Sequence, residues 1–415
     1  MELDLSKIKK VFFIGIGGIG ISALAKMAIS RGMEVLGVND EESLKTLEPL
    51  KDAGAIVYYM NELKELPDAD LYVYSDAWLY RGPEIIADAK TRGVPVLSYF
   101  EALGVFAKEY KVIAIAGTHG KTTTTAMVAE VLIDAGFDPT VVVGSFVKKF
   151  GSNFREGKGE YLVVEADEYN RHFLNFHPFI GAVTNIEADH LDCYKDLGEI
   201  KEAFDKFLEQ SENKIIDYTK YLEKVPKLSV PGEHNRMNAA VALAVADILG
   251  IEEKSAQKSL QGFLGTWRRL EKKGVTSEGT IIYDDYAHHP TEIMASLQAL
   301  RELYREGEYK ITVLFQPHLY SRTKALFDDF AKSFKDADQT FLLPIYFARE
   351  AKDESVSSEK LAEAILKNGQ SAEAFSSFEL AEKAVSGLHL GPKDVFATMG
   401  AGEAYKVSDK IFKIV

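Results

Sequence analysis

The stretch AIAGTHGKTTTT, residues 114–125, constrains the fold more than any other part of the chain. The residues just before its glycines are apolar or β-branched, as expected for a parallel strand covered on both faces. Gly117 and Gly120 let the backbone turn tightly, so that the amides of residues 117–123 face one anion, and Lys121 adds a cation at a helix start. The segment therefore predicts a phosphate-binding turn, with Thr122 near the magnesium that accompanies a nucleoside triphosphate.

This turn departs from the usual P-loop, which has a glycine at the position of Ile115, so only the last part of that pattern matches. The alternative interpretation is a glycine-rich turn that binds no ligand. Four consecutive threonines are β-branched residues that an ordinary helix start would avoid. We therefore favour a nucleotide-binding function.

A second glycine motif lies near the N-terminus. Gly15, Gly17 and Gly20 satisfy GxGxxG between a strand and a helix, and Asp40 ends the next strand where a Rossmann unit has its ribose-binding acid. This pattern is typical of nicotinamide-dependent dehydrogenases. The same turn can also hold the diphosphate of a UDP-sugar, so both alternatives stay open on these residues.

Polar side chains follow two more apolar strands. YLVVEAD delivers Glu165, and NIEADHLD presents Asp189 and His190 after the next strand. Because ligands bind at the carboxyl ends of parallel strands, we expect Lys121, Glu165 and His190 to face one crevice. A carboxylate at that edge suits magnesium, although each residue alone could be a solvated loop residue.

The length of 415 residues and the alternation of strand and helix patterns predict an α/β protein of three domains. Residues 1–108 form a Rossmann-like domain, residues 109–264 a central P-loop ATPase-like domain with a parallel sheet, and residues 265–415 a Rossmann-like C-terminal domain. Within the central domain, residues 209–228 have no clear pattern of secondary structure.

Composition excludes several classes of protein. A net charge of -14 argues against a nucleic-acid partner, which would need a basic surface. The single cysteine, Cys193, excludes a disulfide framework and fits a reducing compartment. No stretch has the pattern of a signal peptide or a membrane span, so we expect a cytoplasmic protein without membrane insertion.

Eight motifs, in order, resemble those of the Mur ligase family: GIGGIGISALA, GTHGKTTTT, EADEY, TNIEADHLD, PGEHNRMNAA, the RRLE arginine pair, YDDYAHHPTE and FQPHLYSRT. The resemblance extends over nearly the whole chain and is strongest to the members that add L-alanine. It implies a ligase of peptidoglycan precursor synthesis that uses ATP and Mg2+, as a monomer or homodimer. Such an enzyme joins L-alanine, or another small amino acid, to the lactyl carboxylate of UDP-N-acetylmuramate through an acyl phosphate.

The resemblance also implies roles for individual residues. ATP would contact Gly117, Thr118, His119, Gly120, Lys121, Thr122, Thr123, His234, Asn235, Asn238, Arg269 and Asp285. Magnesium would be held by Thr122, Glu165 and His190. The UDP group would contact Gly15, Gly17, Gly18, Ile19, Gly20 and Asp40, and the amino acid would contact Tyr286, His288, His318 and Arg322. The residues expected to take part in catalysis are Lys121, Glu165, His190, Arg269, His288, His318 and Arg322.

The chain departs from the family pattern in two places. Leu319 stands where members that add L-alanine usually have an arginine, and the segment 209–228 is shorter than usual. The motif EADEY also occurs in the ligase that recycles murein tripeptide, for which QPH is not typical. That recycling ligase and a non-catalytic nucleotide-binding relative are therefore the alternatives.

Overall fold

The computed structural model describes residues 3–40, 44–190, 193–347 and 350–415. Three largely parallel sheets, each with helices between its strands, confirm the predicted α/β class. One sheet lies within each of the three predicted segments, and the domain boundaries themselves stay predictions. By contacts, the chain forms two compact units. Unit 1 comprises Met1–Lys227 and Met237–Phe263, and unit 2 comprises Leu228–Arg236 and Leu264–Val415.

The first sheet is fully parallel, in the order β3-β2-β1-β4-β5. Its strands are β1 (Lys10–Ile14), β2 (Glu34–Asn39), β3 (Ile56–Tyr59), β4 (Leu71–Tyr74) and β5 (Val96–Ser98). Its helices are α1 (Ile19–Ser30), α2 (Leu47–Asp52), α3 (Trp78–Arg81), α4 (Pro83–Thr91) and α5 (Tyr99–Ala107), and a 3-10 helix at Leu5–Lys7 precedes β1. The strand order reverses between β1 and β4, so the GxGxxG turn after β1 lies at the point where such sheets bind ligands.

The second sheet has the order β11-β10-β6-β9-β7-β8 and is parallel except for the hairpin of β7 and β8. Its strands are β6 (Lys111–Ala116), β7 (Thr140–Val147), β8 (Ser152–Arg155), β9 (Tyr161–Glu165), β10 (Ile180–Val183) and β11 (Asn213–Ile215). Its helices are α6 (Lys121–Asp134), α7 (Leu197–Glu209), α8 (Glu233–Ile248) and α9 (Glu253–Gln261), with 3-10 helices at Tyr169–Asn175 and Thr219–Lys224.

The segment 209–228, expected to lack a clear pattern, is ordered by two tyrosines. It forms β11, the parallel edge strand next to β10, and then a 3-10 helix. The hydroxyl of Tyr218 donates to the carbonyl of Thr184 (2.5 Å), and that of Tyr221 donates to Asp247 (2.6 Å). A strand of three residues is too short to give a periodic pattern, which explains why the sequence did not reveal it.

The third sheet has the order β12-β13-β17-β14-β15-β16, and only β12 is antiparallel to its neighbour. Its strands are β12 (Glu271–Val275), β13 (Ile281–Asp285), β14 (Lys310–Phe315), β15 (Gln339–Leu342), β16 (Ala372–Ala374) and β17 (Asp394–Met399). Its helices are α10 (Pro290–Leu303), α11 (Tyr320–Ala325), α12 (Phe327–Lys332), α13 (Ser358–Lys367), α14 (Phe378–Ser386) and α15 (Ala404–Ile411).

Apolar packing joins the first two sheets inside unit 1. One cluster of buried side chains runs from Phe13 on β1 through Phe106 on α5 to Phe173, Phe204 and Phe207 beside the second sheet. Such burial contributes about 25 cal/mol for each Å² of apolar surface removed from water. Among the helices of the described ranges, none combines the length and the apolar character that crossing a bilayer requires.

Candidate active site

The predicted phosphate turn leads from β6 into α6 and requires glycine at two positions. Gly117 and Gly120 have φ angles of +133° and +84°, in the region that favours glycine. A Cβ atom at Gly117 would lie 2.0 Å from Oγ1 of Thr184, and one at Gly120 would lie 2.3 Å from Oδ1 of Asn238. Asn238, one of the residues expected to contact ATP, therefore packs directly against this turn.

Asn185, which directly follows Thr184, holds the same turn in shape. It accepts hydrogen bonds from the N–H of His119 (2.9 Å, at Oδ1) and from the N–H of Thr118 (3.0 Å, at its carbonyl). Its own Nδ2 donates to the carbonyl of His119 (3.0 Å). The amides of Thr118 and His119 are thus used within the protein, which corrects the expectation that all amides of residues 117–123 face phosphate.

Lys121 is held by Glu168, a residue to which the sequence analysis assigned no role. The Nζ atom of Lys121 donates to both carboxylate oxygens of Glu168, at 2.8 and 3.0 Å, and to the carbonyl of Gly117 at 2.5 Å. Burial by itself lowers the pKa of Lys121, but the Glu168 carboxylate more than offsets burial, and the pKa is raised. The lysine is therefore a cation at neutral pH, as phosphate binding requires.

The predicted magnesium ligands fall into two neighbouring groups. Oγ1 of Thr122 donates to Oε2 of Glu165 (3.2 Å), and Oε1 of Glu165 accepts from the N–H of Gly144 (2.6 Å). His190 is instead associated with Glu168, with Nε2 lying 3.5 Å from Oε1. One nitrogen of His190 and one oxygen each of Asp167 and Glu168 all lie within 4.8 Å of one another.

This donor set is compatible with magnesium. A threonine hydroxyl and carboxylate oxygens are the hard ligands that Mg2+ prefers, and they could hold it here. Burial lowers the pKa of His190, but the hydrogen bond to Glu168 and the charge of Asp189 more than offset burial and raise it. Because a metal binds only the neutral imidazole, the raised pKa of His190 means that a metal there would compete with a proton.

The N-terminal glycine turn is shaped by aromatic rings and by Asn39. Gly15 has a φ angle of +83°, and a Cβ atom there would lie 2.3 Å from Nε1 of Trp78. A Cβ atom at Gly20 would lie 2.9 Å from the ring of Tyr99. The N–H of Gly17 donates to Oδ1 of Asn39 (3.2 Å), while Gly18 and Ile19 begin α1.

The two residues at the end of β2 differ in their contacts. Asp40, the expected ribose ligand, is exposed and forms an ion pair with Arg81 at 2.9 Å. Asn39 is buried and contacts the glycine turn. The acid therefore has a cationic partner within the protein, and the asparagine before it is the residue that the sequence analysis missed.

In unit 2, the adjacent arginines have different surroundings. Arg268 is buried, donates to Oδ2 of Asp284 (2.9 Å) and donates to the carbonyls of Gly400 (2.6 Å) and Gly402 (3.1 Å). The guanidinium carbon of Arg269 lies 4.9 Å from the centre of the Tyr286 ring. Arg268 thus joins the ends of β13 and β17, and the expected contact of Arg269 with ATP stays a prediction.

Asp285, one of the residues expected to contact ATP, ends β13. It is buried and accepts hydrogen bonds from the hydroxyl of Ser296 and from the N–H of Ala287 (3.2 Å). Burial raises the pKa of Asp285 to about 6. Asp285 is thus built into the C-terminal edge of the third sheet.

The start of α8 carries His234 and Asn235. His234 packs against Gly232, where a Cβ atom would lie 2.6 Å from the histidine Cε1. Burial lowers the pKa of His234 to about 4, so that the ring is neutral at pH 7. Asn235 donates from Nδ2 to the carbonyl of Pro231 (2.7 Å), which closes the turn before the helix.

The residues expected to contact the amino acid come together in unit 2. The ring centres of His288 and His318 are 6.0 Å apart, and Nη1 of Arg322 lies 3.4 Å from Nδ1 of His318. Nδ1 of His288 lies 3.0 Å from the carbonyl of Tyr286. Leu319 is buried, has a φ angle of +71° and donates its N–H to Tyr346, so this departure from the family pattern is an internal apolar residue.

Three models of protein domains match the chain, one after another along its length. Residues 10–111 match the model described as "Mur ligase family, catalytic domain", residues 115–224 the Mur ligase middle domain, and residues 268–402 the Mur ligase glutamate ligase domain. The UDP-N-acetylmuramate--L-alanine ligase of Caldanaerobacter subterraneus subsp. tengcongensis is 37% identical, and the match covers 100% of this chain and 99% of that protein. The chain belongs to the Mur ligase family.

Further relatives agree with this Mur ligase assignment. The UDP-N-acetylmuramate--L-alanine ligase of Clostridium acetobutylicum is 38% identical, with 99% of each chain covered. A solved UDP-N-acetylmuramate-alanine ligase from Thermotoga maritima is 29% identical, with a TM-score of 0.80, and covers 97% of this chain and 98% of its own. A murein peptide ligase from Psychrobacter arcticus, at 23% identity, with a TM-score of 0.69 and 97% and 98% coverage, shares the fold.

Proposed function

We propose that this protein is an ATP-dependent ligase that joins L-alanine to the lactyl carboxylate of UDP-N-acetylmuramate in peptidoglycan precursor synthesis. The observation that carries the proposal is 37% identity over the full length to a ligase of that name. Three features support the proposal. The phosphate turn would bind ATP, Glu165 would help to hold magnesium, and the GxGxxG turn would bind the UDP group. Full-length membership of the Mur ligase family also removes the reason to interpret GxGxxG as a dehydrogenase motif.

A carboxylate is a poor acyl donor, so the reaction needs the γ-phosphoryl group of ATP to form an acyl phosphate. Lys121 is cationic and lies at the start of α6, where it would neutralise charge that develops on the transferred phosphoryl group. Arg269 would add a second positive charge. Magnesium, when held by Thr122, Glu165 and His190, would offset the repulsion between phosphate and carboxylate oxygens.

The amino acid would be bound by residues of unit 2. Arg322 carries a fixed positive charge that suits the carboxylate of alanine, and it lies beside His318. The imidazole of His288 or His318, when neutral, would accept a proton from the ammonium group. The buried Leu319 gives this region one cation fewer than the usual family pattern.

Substrate-dependent ATP hydrolysis tests the proposal. We expect release of ADP and phosphate only when UDP-N-acetylmuramate and an amino acid are both present, with L-alanine preferred in a panel that includes glycine, L-serine and murein tripeptide. Activity with UDP-N-acetylmuramate and murein tripeptide, but not with L-alanine, would favour the recycling ligase. Nucleotide binding without any turnover would favour the non-catalytic relative.

A matched pair of lysine variants links this activity to the phosphate turn. Lys121→Ala should lower kcat at least about 1000-fold, because loss of one transition-state charge typically costs a factor of 10²–10³ or more. Lys111→Ala is the control, since Lys111 begins β6 at the opposite end of the strand, where its exposed side chain pairs with Glu160 and lies over the rings of Tyr161 and Phe179. Equal rates for the two variants would contradict the assignment of Lys121.

Location and assembly stay predictions. The low cysteine content fits the reducing cytoplasm, where nucleotide precursors are made. We also propose a monomer or a homodimer, which light scattering of the purified protein would distinguish.

A further inference from the structure

The hairpin of β7 and β8 contacts both proposed nucleotide sites in unit 1. On β7, the chain is paired with β9 only as far as Val142, and the register with β8 shifts between Val142 and Val147. Such an irregularity turns backbone groups out of the ladder. Here the N–H of Gly144 is turned to Oε1 of Glu165 at 2.6 Å, and a Cβ atom on Gly144 would lie 2.9 Å from Oε2.

The other strand of the hairpin reaches the start of α1. Asn153 on β8 is fully buried, and its Nδ2 donates to the carbonyl of Ile19 and to the hydroxyl of Ser22 (2.9 Å). Lys26, one turn further along α1, donates to Oδ1 of Asn153 (3.2 Å) and to the hydroxyl of Ser152 (3.1 Å). Both ends of the Asn153 amide are therefore bound to the helix that follows the GxGxxG turn.

A third contact of the hairpin involves Lys45, whose neighbour in the chain bonds to the same glycine turn. Nζ of Lys45 lies 4.7 Å from the ring centre of Phe146 on β7. The next residue, Thr46, donates its hydroxyl to the carbonyl of Gly17 (2.5 Å). One hairpin thus contacts Glu165, a predicted magnesium ligand, and Ile19, a predicted UDP contact at the start of α1. It also contacts Lys45, whose neighbour Thr46 bonds to the glycine turn.

We propose that the β7–β8 hairpin couples the two nucleotide sites. In this proposal Asn153 is the positioning residue that fixes the predicted UDP turn relative to Glu165. The inference rests on the proposed function, because it takes the UDP-sugar and Mg2+-bound ATP as the two ligands. Because Asn153 is fully buried, we place it behind the two ligands and not in contact with them. It acts through α1, and a change at α1 reaches Glu165 along the hairpin.

Calorimetric titration measures this coupling without turnover. The dissociation constant of a non-hydrolysable, Mg2+-bound ATP analogue is determined with and without saturating UDP-N-acetylmuramate, and the ratio is the coupling factor. Couplings between sites typically lie between about 5 and 150. We expect a factor of at least about 5 in the natural protein and below about 2 in Asn153→Ala, with each ligand's separate affinity changed less than about threefold.

Two further variants keep the test informative. Lys26→Met removes the ammonium group that donates to Asn153 and should also reduce the coupling factor. This variant provides the test if Asn153→Ala does not fold. Arg155→Lys is the control, because Arg155 lies on the same strand but bonds to Asp138 and to the carbonyl of Pro139. Its coupling factor should equal that of the natural protein.

Each other outcome overturns the inference. A natural coupling factor near 1, or an unchanged factor in both hairpin variants, would show that the hairpin does not connect the sites. A loss of UDP-sugar affinity beyond about tenfold with an unchanged factor would show only local support of α1. Absence of UDP-sugar binding to the natural protein would overturn the proposed function itself, which separates the two failures.

Discussion

Single side chains decide how the charges of the site are distributed. Glu168 binds Lys121 with both oxygens and lies beside His190, so one buried carboxylate contacts two residues to which we assign nucleotide or metal binding. A triphosphate would compete with this carboxylate for the same ammonium group. We therefore expect a bound triphosphate to replace Glu168 as the partner of Lys121.

Glu130 on α6 makes stability depend on pH. Its carboxyl group is buried, its Oε1 has no hydrogen-bond partner in the part of the chain that the structure describes, and Lys149 is 3.9 Å from Oε2. Burial raises the pKa of Glu130 to about 7, above its ordinary value of 4.5. Because the folded state holds the proton more tightly, stability should fall as the pH rises from about 4.5 to about 7.

The variant Glu130→Gln tests this dependence by urea unfolding at pH 5 and pH 8. We expect the variant to be more stable than the natural protein by about 2 kcal/mol at pH 8, where the buried carboxylate is charged, and by little at pH 5. Glu202→Gln, at an exposed position of α7, should have no such pH-dependent effect. The same gain at both pH values would contradict a buried, titrating carboxyl group.

At the scale of elements, α6 begins and ends with glycines in the same backbone region, and this provides a matched experiment. Gly120 and Gly136 have φ angles of +84° and +82°. A Cβ atom at Gly120 would meet Asn238, whereas one at Gly136 would meet nothing within 4 Å. Alanine at either position costs about 1–2 kcal/mol in backbone strain, but only Gly120→Ala distorts the phosphate turn.

We therefore expect Gly120→Ala to weaken binding of the ATP analogue at least about tenfold and Gly136→Ala to leave it unchanged. Thermal melting should show a lower midpoint for both variants. Isothermal titration then separates the effect on the turn from the effect on stability. An equal loss of affinity in both variants would mean that strain in α6, rather than the shape of the turn, controls binding.

At the scale of the whole molecule, the protein is acidic, whereas the residues that we propose to bind phosphate lie in particular loops. Because the net charge is -14, we expect anionic nucleotides to depend on local amides, on Lys121 and on magnesium for binding. The GxGxxG turn and the phosphate turn both lie in unit 1, and the cluster of His288, His318 and Arg322 lies in unit 2. Different ligands should therefore protect different parts of the chain.

Hydrogen exchange measures this protection. UDP-N-acetylmuramate alone should slow exchange at residues 15–20 and around Asn39, because bound ligand suppresses local opening. It should leave β13, β14 and β17 of unit 2 unchanged. Protection confined to unit 2 would contradict the assignment of the UDP group to the GxGxxG turn.

Much of the architecture could be predicted because its signals are local. Gly117, Gly120 and Lys121 lie within five consecutive residues after an apolar strand, and spacing of this kind specifies a turn whatever surrounds it. The apolar runs of β1, β6 and β14 likewise predict buried parallel strands. The α/β class, the phosphate turn and the resemblance to the Mur ligase family all rest on such short patterns.

The pairings between distant residues were decided only by the tertiary structure. Glu168 lies 47 residues from Lys121, and Asn153 lies 134 residues from Ile19, and no local pattern marks either as a partner. Asn39 rather than Asp40 contacts the glycine turn because successive side chains of a strand point to opposite faces. Local spacing thus determined which backbone shapes form, whereas packing between elements determined which buried charges and amides meet.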